Sequence, residues 1–233
     1  MNPASCMPAR PVVSSEIPSS ACPNAATELL TLSAANELGF YRAVGLVFRG
    51  WSLAVLEHAD EGISLLATGL AGMHDAGFIL YRPQNLTLLG DACRMAGQWQ
   101  TALGHFAEAQ RLAEATEERW FQAETLRLTG DVRLGTGDSA GAEASYGEAL
   151  AIARRQSAKL WELRAATSLA RLWRDQNKLS PARDLLAPVC GRFTEGLATP
   201  VLQDAKALLE ELSEIGSPSG RGLAVAGADA TGC

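Results

Sequence analysis

The sequence has few of the features that mark a secreted, membrane-spanning or metal-binding protein. Its five cysteines form no Cys-x-x-Cys pair, so neither a disulfide framework nor a zinc site is predicted. No apolar run approaches the ~18 residues that a transmembrane helix needs, and the N-terminus lacks the apolar segment of a signal peptide. We therefore expect a cytoplasmic chain, with no membrane partner, no metal and no other cofactor.

Positive charge is also scarce. The chain has 20 Lys and Arg against 26 Asp and Glu, for a formal net charge of −6. Proteins that bind nucleic acid usually carry a basic surface, so we expect no nucleic-acid partner. Only three of the basic residues are lysines, namely Lys159, Lys178 and Lys206. A GC-rich coding bias explains this imbalance, and recognition of carboxylate or phosphate by arginine is the alternative.

The two ends differ in composition from the middle of the chain. Residues 1–24 contain five Pro and five Ser without helical periodicity, and residues 216–233 contain five Gly. Neither segment has enough apolar surface to offset the entropy lost on ordering, so both are predicted to be disordered. The folded domain is predicted to span residues 25–215.

That middle region repeats every 40 residues. Small residues recur at one position of the period, and a second small residue follows twelve positions later. A bulky residue and a third, mostly small one complete the pattern. In this order the four columns are Gly50, Gly90, Gly130 and Ala170; Gly62, Ala102, Ala142 and Ala182; Leu66, Phe106, Tyr146 and Leu186; Gly69, Ala109, Ala149 and Val189.

Each period contains two segments with apolar residues at helical spacing. The predicted first helices are 41–57, 82–96, 121–135 and 160–176, and the second helices are 61–75, 99–114, 140–156 and 180–194. Two more helices flank them, at 26–38 and at 199–215. Small residues allow paired helices to approach to ~8 Å, while the bulky residues fill the space beside them.

Repeats two and three resemble the tetratricopeptide repeat. The matching residues are Leu86, Leu89, Gly90, Gly97, Ala102, Phe106 and Ala109 in repeat two, and Leu126, Gly130, Gly137, Ala142, Tyr146 and Ala149 in repeat three. Repeat three departs at Arg133, where the family usually has an aromatic residue, and the period exceeds the usual length of about 34 residues. The resemblance implies an all-α solenoid of helical hairpins that binds protein or peptide without catalysis.

A hydrolase motif competes with this interpretation in repeat three. Residues 137–141 fit G-x-S-x-G, in which Ser139 would be a nucleophile. A nucleophile elbow needs a strand before the serine, whereas a helix is predicted there. We therefore interpret Asp138 or Ser139 as the N-cap of the following helix, and we predict that the chain is not an enzyme.

Residues 156–189 and 193–212 are similar to the C-terminal repeat region of large bacterial proteins that join an AAA-like ATPase to an adenylate/guanylate cyclase or a transcriptional activator. Residues 48–70 resemble an upstream part of that region. The chain has no G-x-x-x-x-G-K-[ST] motif and no room for a cyclase. The resemblance implies a regulatory protein-interaction module; the alternative is a remnant or accessory subunit that works with a separate cyclase or ATPase chain.

The first helices of a tetratricopeptide superhelix line its concave groove. The repeat register places sixteen residues in that groove, of which Trp51, Arg94, Arg127, Arg164, Arg171 and Arg174 are the candidate peptide-binding residues. The arginines could bind an acidic peptide, or they could be neutralised internally. Self-association through helix 26–38, an open N-terminal half-repeat, is a further expectation.

The register also predicts specific contacts. Glu124 should pair with Arg164 and Asp131 with Arg171, while Arg127 should reach both acids along one helix face. Arg174 should then remain unpaired. In the closing helix, Thr199 is the expected N-cap and Leu202, Ala205, Leu208, Leu209 and Leu212 form the apolar stripe of a C-terminal capping helix. Cys93 and Cys190 are expected in the core.

Overall fold

The structure is a computed structural model that describes residues 21–56 and 58–215. Its regular elements are all helical in this part of the chain, as the sequence predicts. They are α1 (Ala21–Ala35), α2 (Gly39–Val55), α3 (Ala59–Asp75), α4 (Arg82–Met95), α5 (Trp99–Thr116), a 3-10 turn (Arg119–Phe121), α6 (Gln122–Gly135), α7 (Ser139–Arg155), α8 (Lys159–Asp175), α9 (Leu179–Cys190) and α10 (Pro200–Ile215).

The helix bounds differ from the predicted ones mainly at two places. Helix α1 begins at Ala21 and ends at Ala35, where 26–38 is predicted, and α9 ends at Cys190 rather than residue 194. Apart from 21–24, which belong to α1, the segments 1–24 and 216–233 that are predicted to be disordered lie outside the described residues.

The helices stack as four hairpins, α2–α3, α4–α5, α6–α7 and α8–α9. Consecutive first helices also contact each other, in the order α2, α4, α6, α8, and α10 then packs against both α8 and α9. We call the layer formed by α2, α4, α6, α8 and α10 the inner layer. Helix α10 therefore occupies the place that the first helix of a fifth hairpin would take, and α1 packs on α2 at the other end.

A small residue on each first helix sets the distance to the second helix of its hairpin. In repeats two and three, a Cβ atom added to Gly90 or Gly130 would lie 2.5 Å from the ring of Phe106 or Tyr146. In repeat one, a Cβ on Gly50 would lie 2.7 Å from the carbonyl oxygen of Gly62. The small-over-large pattern of the sequence therefore describes real contacts between helices.

The turns follow a shorter period than the hairpins. Left-handed residues lie 20 positions apart between residues 77 and 177, and they end both first and second helices. Glycine occupies three of these positions and other residues occupy the rest, among them Glu117, Ser157 and Asn177. Each period of 40 residues is thus two helix-and-turn units of equal length.

The core runs through the array as three neighbouring clusters. The first lies in repeats one and two, the second joins repeats two and three around Phe106 and Val132, and the third extends from repeat three to α10. Cys93 and Cys190 are buried within it, as predicted. The apolar residues of α10 are buried too, with Leu209 only partly covered, so this helix closes the core of the last repeat.

The glycine at the ring contact provides a direct test of the packing. We expect Gly130→Ala to destabilise the protein by about 1–3 kcal/mol, because its Cβ would overlap the buried ring of Tyr146. The control is Gly104→Ala in α5, where nothing lies within 4 Å of the added Cβ. That change should stabilise the helix by about 0.5–1 kcal/mol. Urea unfolding monitored by circular dichroism measures both, and equal effects of the two changes would contradict the packing argument.

Candidate functional site

The G-x-S-x-G motif lies between two helices. Ser139 is the first residue of α7, and the Oδ1 atom of Asp138 accepts a hydrogen bond from the Gly141 amide at 2.8 Å. Helix α6 precedes it, where a nucleophile elbow would have a strand. The interpretation of this stretch as a helix N-cap is confirmed, and Asp138 is the capping residue.

The six candidate groove residues all lie on first helices, but they differ in exposure. Trp51 and Arg127 are buried, and the Arg164 side chain is nine-tenths covered. Arg94 is mostly covered and bonds Asp91 through its Nε atom at 2.7 Å. Arg171 and Arg174 keep about 30% and 28% of their side-chain surface exposed. Among these six candidate residues, the more accessible arginines are therefore Arg171 and Arg174, both on α8.

A buried carboxylate joins the third and fourth repeats. Glu124 accepts two hydrogen bonds from Arg127, at 2.9 and 2.7 Å, and Arg164 of the next repeat lies 2.8 Å from the same carboxylate. Arg127 also donates to Asp131 at 2.8 Å. The predicted Glu124–Arg164 pair and the double reach of Arg127 are both confirmed. The ion pairs of Glu124 are buried, since its side chain is almost fully covered.

Two predicted features of this charge pattern are wrong. Asp131 does not pair with Arg171, because its two oxygens already bind Arg127 and the hydroxyl group of Tyr146. Arg171 instead pairs with Asp204 of α10. Arg174 is not unpaired, since it contacts the carboxylates of Asp175 and Glu211 at 2.9 and 3.0 Å. The prediction omitted α10 from the inner layer, and α10 supplies Asp204 and Glu211.

Burial and charge act on these groups in opposite directions. Burial lowers the pKa of the Arg127 guanidinium, but Asp131 and Glu124 outweigh it, so that the pKa lies well above its ordinary value. For Arg164, burial is the stronger effect and lowers its pKa against the attraction of Glu124. Burial and the adjacent Asp131 raise the pKa of the Tyr146 hydroxyl, which keeps it a hydrogen-bond donor.

One further buried polar atom lies in the inner layer, on α2. The Nε1 atom of Trp51 is buried without a hydrogen-bond partner in the described structure, and the surrounding core cluster is apolar. No group of three or more potential metal ligands occurs among residues 21–56 and 58–215. Nor does any helix in that range have both the length and the apolar character that a membrane span requires.

Aromatic residues form a further repeated column, at one position of the 40-residue period, that was not predicted above. Tyr41, Tyr81, Phe121 and Trp161 recur every 40 residues at the start of the first helices. The structure connects three of them through Trp120: Tyr81 meets Trp120, Trp120 meets Phe121, and Phe121 meets Trp161, with ring centroids 5.2–6.2 Å apart. The same 40-residue period would have revealed this column, because aromatic side chains at a repeated position are anchors for packing or binding.

The cap assignment predicts which substitution matters. Asp138→Ala should cost about 0.5–2 kcal/mol of stability because it leaves the Gly141 amide without its acceptor. Ser139→Ala is the matched control and should change stability by less than about 0.5 kcal/mol. Thermal and urea unfolding of both variants measure this. A larger loss in Ser139→Ala than in Asp138→Ala would contradict the assignment.

The buried carboxylate predicts a large effect. Glu124→Gln keeps the shape of the side chain but leaves Arg127 and Arg164 without their shared negative partner. We expect a loss of about 3–5 kcal/mol in the free energy of unfolding. Glu148→Gln, an exposed residue of α7, is the control and should stay within about 0.5 kcal/mol of the parent. Comparable stabilities of the two variants in urea would overturn the proposed importance of Glu124.

Comparison with known proteins supports the architecture. A family model described as tetratricopeptide repeat matches residues 81–155, which contain α4 to α7. A search of curated proteins finds no matching sequence.

Several solved structures share the fold at low sequence identity. BtubC (BKLC) from P. vanneervenii is 13% identical with a TM-score of 0.58, over 92% of this chain and 94% of that one. A Rap protein complexed with competence and sporulation factor is 15% identical with a TM-score of 0.58, over 85% of this chain and 60% of the other. The Podosopora anserina kinesin light chain TPR-like repeats are 15% identical with a TM-score of 0.54, over 73% and 84% of the two chains.

The family match covers the two repeats with the clearest small-over-large pattern, and the structural matches extend over most of the chain. Residues 81–155 therefore match the tetratricopeptide repeat, and the described part of the chain has the fold of a tetratricopeptide-like solenoid of helical hairpins.

Proposed function

We propose that the chain is a non-catalytic module that binds a protein or peptide on the inner layer, near the junction of α8 and α10. The observation that carries this proposal is the pair of partly exposed guanidinium groups, Arg171 and Arg174, at that junction. A small opening of about 40 Å³ is lined by Arg171 together with Arg127, Arg164 and Asp204, among others. Tetratricopeptide repeats generally mediate protein–protein interaction, which agrees with this use of the face.

The partner proposed for this site is a segment that carries carboxylates. Asp204 and Glu211 of α10 form ion pairs with Arg171 and Arg174. These pairs show that the two arginines bind carboxylate groups. Arginine binds carboxylates through a planar fork of donors, and an acidic peptide could replace these exposed intramolecular pairs. Arg127 and Arg164 are less suited to direct binding, because both already pair with Glu124 within the fold and Arg127 also pairs with Asp131.

The biological role is proposed as regulatory, in the cytoplasm of a bacterium. Its support is the similarity of residues 156–212 to repeat regions of ATPase-linked cyclases and activators. The alternative is an accessory subunit for a separate cyclase or ATPase chain, which stable co-purification with such a chain would favour. The structure of the Rap protein with competence and sporulation factor provides a precedent for a bound factor on a similar fold. Self-association through α1 is a separate proposal, and sedimentation of the full chain would test it.

The acidic-partner proposal makes a prediction about competition. The double substitution Asp204→Asn and Glu211→Gln should tighten binding of a labelled tetra-glutamate peptide about two- to thirtyfold, since each exposed pair that it removes is worth about 0.2–1 kcal/mol. Arg171→Gln combined with Arg174→Gln should abolish the binding. Fluorescence anisotropy of the full chain measures both effects.

Glu210→Gln is the matched control for that experiment, because Glu210 is exposed on α10 and forms no ion pair in the described structure. Its affinity for the peptide should equal that of the parent. The proposal fails if the peptide binds the arginine double variant as well as it binds the parent, or if it binds neither.

A further inference from the structure

The aromatic residues of the repeated column differ in exposure. Tyr41 and Tyr81 are each 51% exposed, whereas Phe121, at the same position of the third repeat, is 9% exposed. Tyr81 has a left-handed backbone with φ 60°, a conformation that costs a bulky residue roughly 1–2 kcal/mol. Phe121 has φ −101°. Tyr81 therefore differs from Phe121 both in exposure and in backbone conformation.

Contacts with the next repeat hold Tyr81 in that conformation. Its backbone amide donates to the Oε2 atom of Glu118 at 3.0 Å, and its ring packs edge-on against Trp120 at a centroid distance of 6.2 Å. Both partners lie in the segment that joins α5 to α6. A strained residue persists only where its surroundings support it, and such residues often occur at functional sites.

The residues on both sides of Tyr81 line a cavity of about 190 Å³. Apolar side chains form most of its wall, and His74, Arg82 and Asn85 supply polar groups. The apolar lining residues are Leu70, Ala71, Met73, Phe78, Leu80 and Leu86. The cavity is several times the ~30 Å³ share of one water molecule in the liquid, so it admits an aliphatic side chain.

Large apolar side chains are exposed at the surface next to this cavity, and Leu80 is one of the residues that line it. Ile79, Leu80, Tyr81 and Trp120 are each exposed by 44–63%, and three of them are consecutive in sequence. We call these four residues the apolar edge. Single exposed apolar residues are ordinary, but a cluster beside an apolar cavity is typical of a protein-interaction site. Aromatic residues such as Tyr and Trp are the usual anchors of such sites.

Carboxylates outnumber cations near the apolar edge. Asp75 follows the cavity residue His74, and Glu117 and Glu118 immediately precede the segment of Trp120. None of these three carboxylates pairs with a cation in the described residues. Among the nearby cations, Arg82 and Arg111 both contact Glu108, at 3.7 and 4.0 Å, and Arg119 is exposed next to Trp120. Four carboxylates and three arginines thus lie around the edge, and a partner that covers it would be complementary if it carried positive charge.

We propose that the apolar edge binds a partner peptide that inserts one aliphatic side chain into the cavity and places basic residues against Asp75, Glu117 and Glu118. This surface lies at the start of the first helices of repeats two and three, away from the α8–α10 junction, and it selects the opposite charge. The inference therefore stands independently of the acidic-peptide site.

Three labelled peptides test this proposal on the full chain. The first has two leucines flanked by lysines on both sides, the second replaces the leucines by serines, and the third replaces the lysines by glutamates. We expect the first peptide to bind at least about tenfold more tightly than either of the others, because only it satisfies both the cavity and the carboxylates. Equal binding of the leucine–lysine and serine–lysine peptides would show that charge attraction alone accounts for the affinity. That result would overturn the proposal.

Substitutions then locate the binding. Trp120→Ala should weaken binding of the leucine–lysine peptide at least about tenfold. Ala71→Phe should weaken it similarly by filling the cavity from its exposed rim. Leu197→Ala, which truncates a comparably exposed leucine in the loop before α10, is the control and should have no effect. Circular dichroism checks that each variant keeps its helices, and unchanged binding in the folded Trp120→Ala and Ala71→Phe variants contradicts the site.

Three further measurements separate the alternatives. The combined Asp75→Asn and Glu117→Gln variant should bind more weakly and with a smaller dependence on NaCl concentration, since exposed charges are screened by salt. Arg171→Gln with Arg174→Gln should leave this binding unchanged, which distinguishes it from the acidic-peptide site. If sedimentation shows a dimer that Trp120→Ala dissociates, the edge is a contact between two copies of the chain and the proposal is overturned.

Discussion

The close approach of paired helices is the constraint on which the structure depends. A glycine on each of the first three first helices leaves no room for a side chain, and the second helix fills the gap with a ring in repeats two and three. Dispersion contacts and the burial of apolar surface stabilise this close approach only where the two helix surfaces interlock. The hairpin geometry sets the spacing of the first helices, and this spacing places Glu124 within reach of Arg164 in the next repeat.

Buried charge therefore has a structural role in the inner layer. Glu124 binds one arginine of its own helix and one of the next repeat, so it joins two hairpins with a single carboxylate. Such a cluster costs desolvation energy and is tolerated because all its members are paired. The price is accessibility, since arginines that hold repeats together are poorly placed to bind a ligand. The exposed pairs with α10 are more easily exchanged.

The two proposed surfaces arise from different physical properties of the same array. The α8–α10 junction offers cations whose partners are exposed carboxylates. The apolar edge offers a cavity and outward aromatic side chains, with more carboxylates than cations around them. A solenoid can hold both, because each repeat contacts mainly its neighbours and one position can change without disturbing distant ones.

The sequence by itself determined the architecture, because the small and bulky residues recur at a period that only stacked hairpins can satisfy. It also identified the cap at residues 138–139 and the Glu124–Arg164 pair, since these depend on local spacing and on the register between adjacent repeats. Only the tertiary structure decided that α10 joins the inner layer, where Asp204 and Glu211 form ion pairs with Arg171 and Arg174. It also decided that Tyr81 turns outward while Phe121 is covered. Both outcomes depend on contacts between distant segments, such as the Tyr81 amide with Glu118, which a repeat period does not encode.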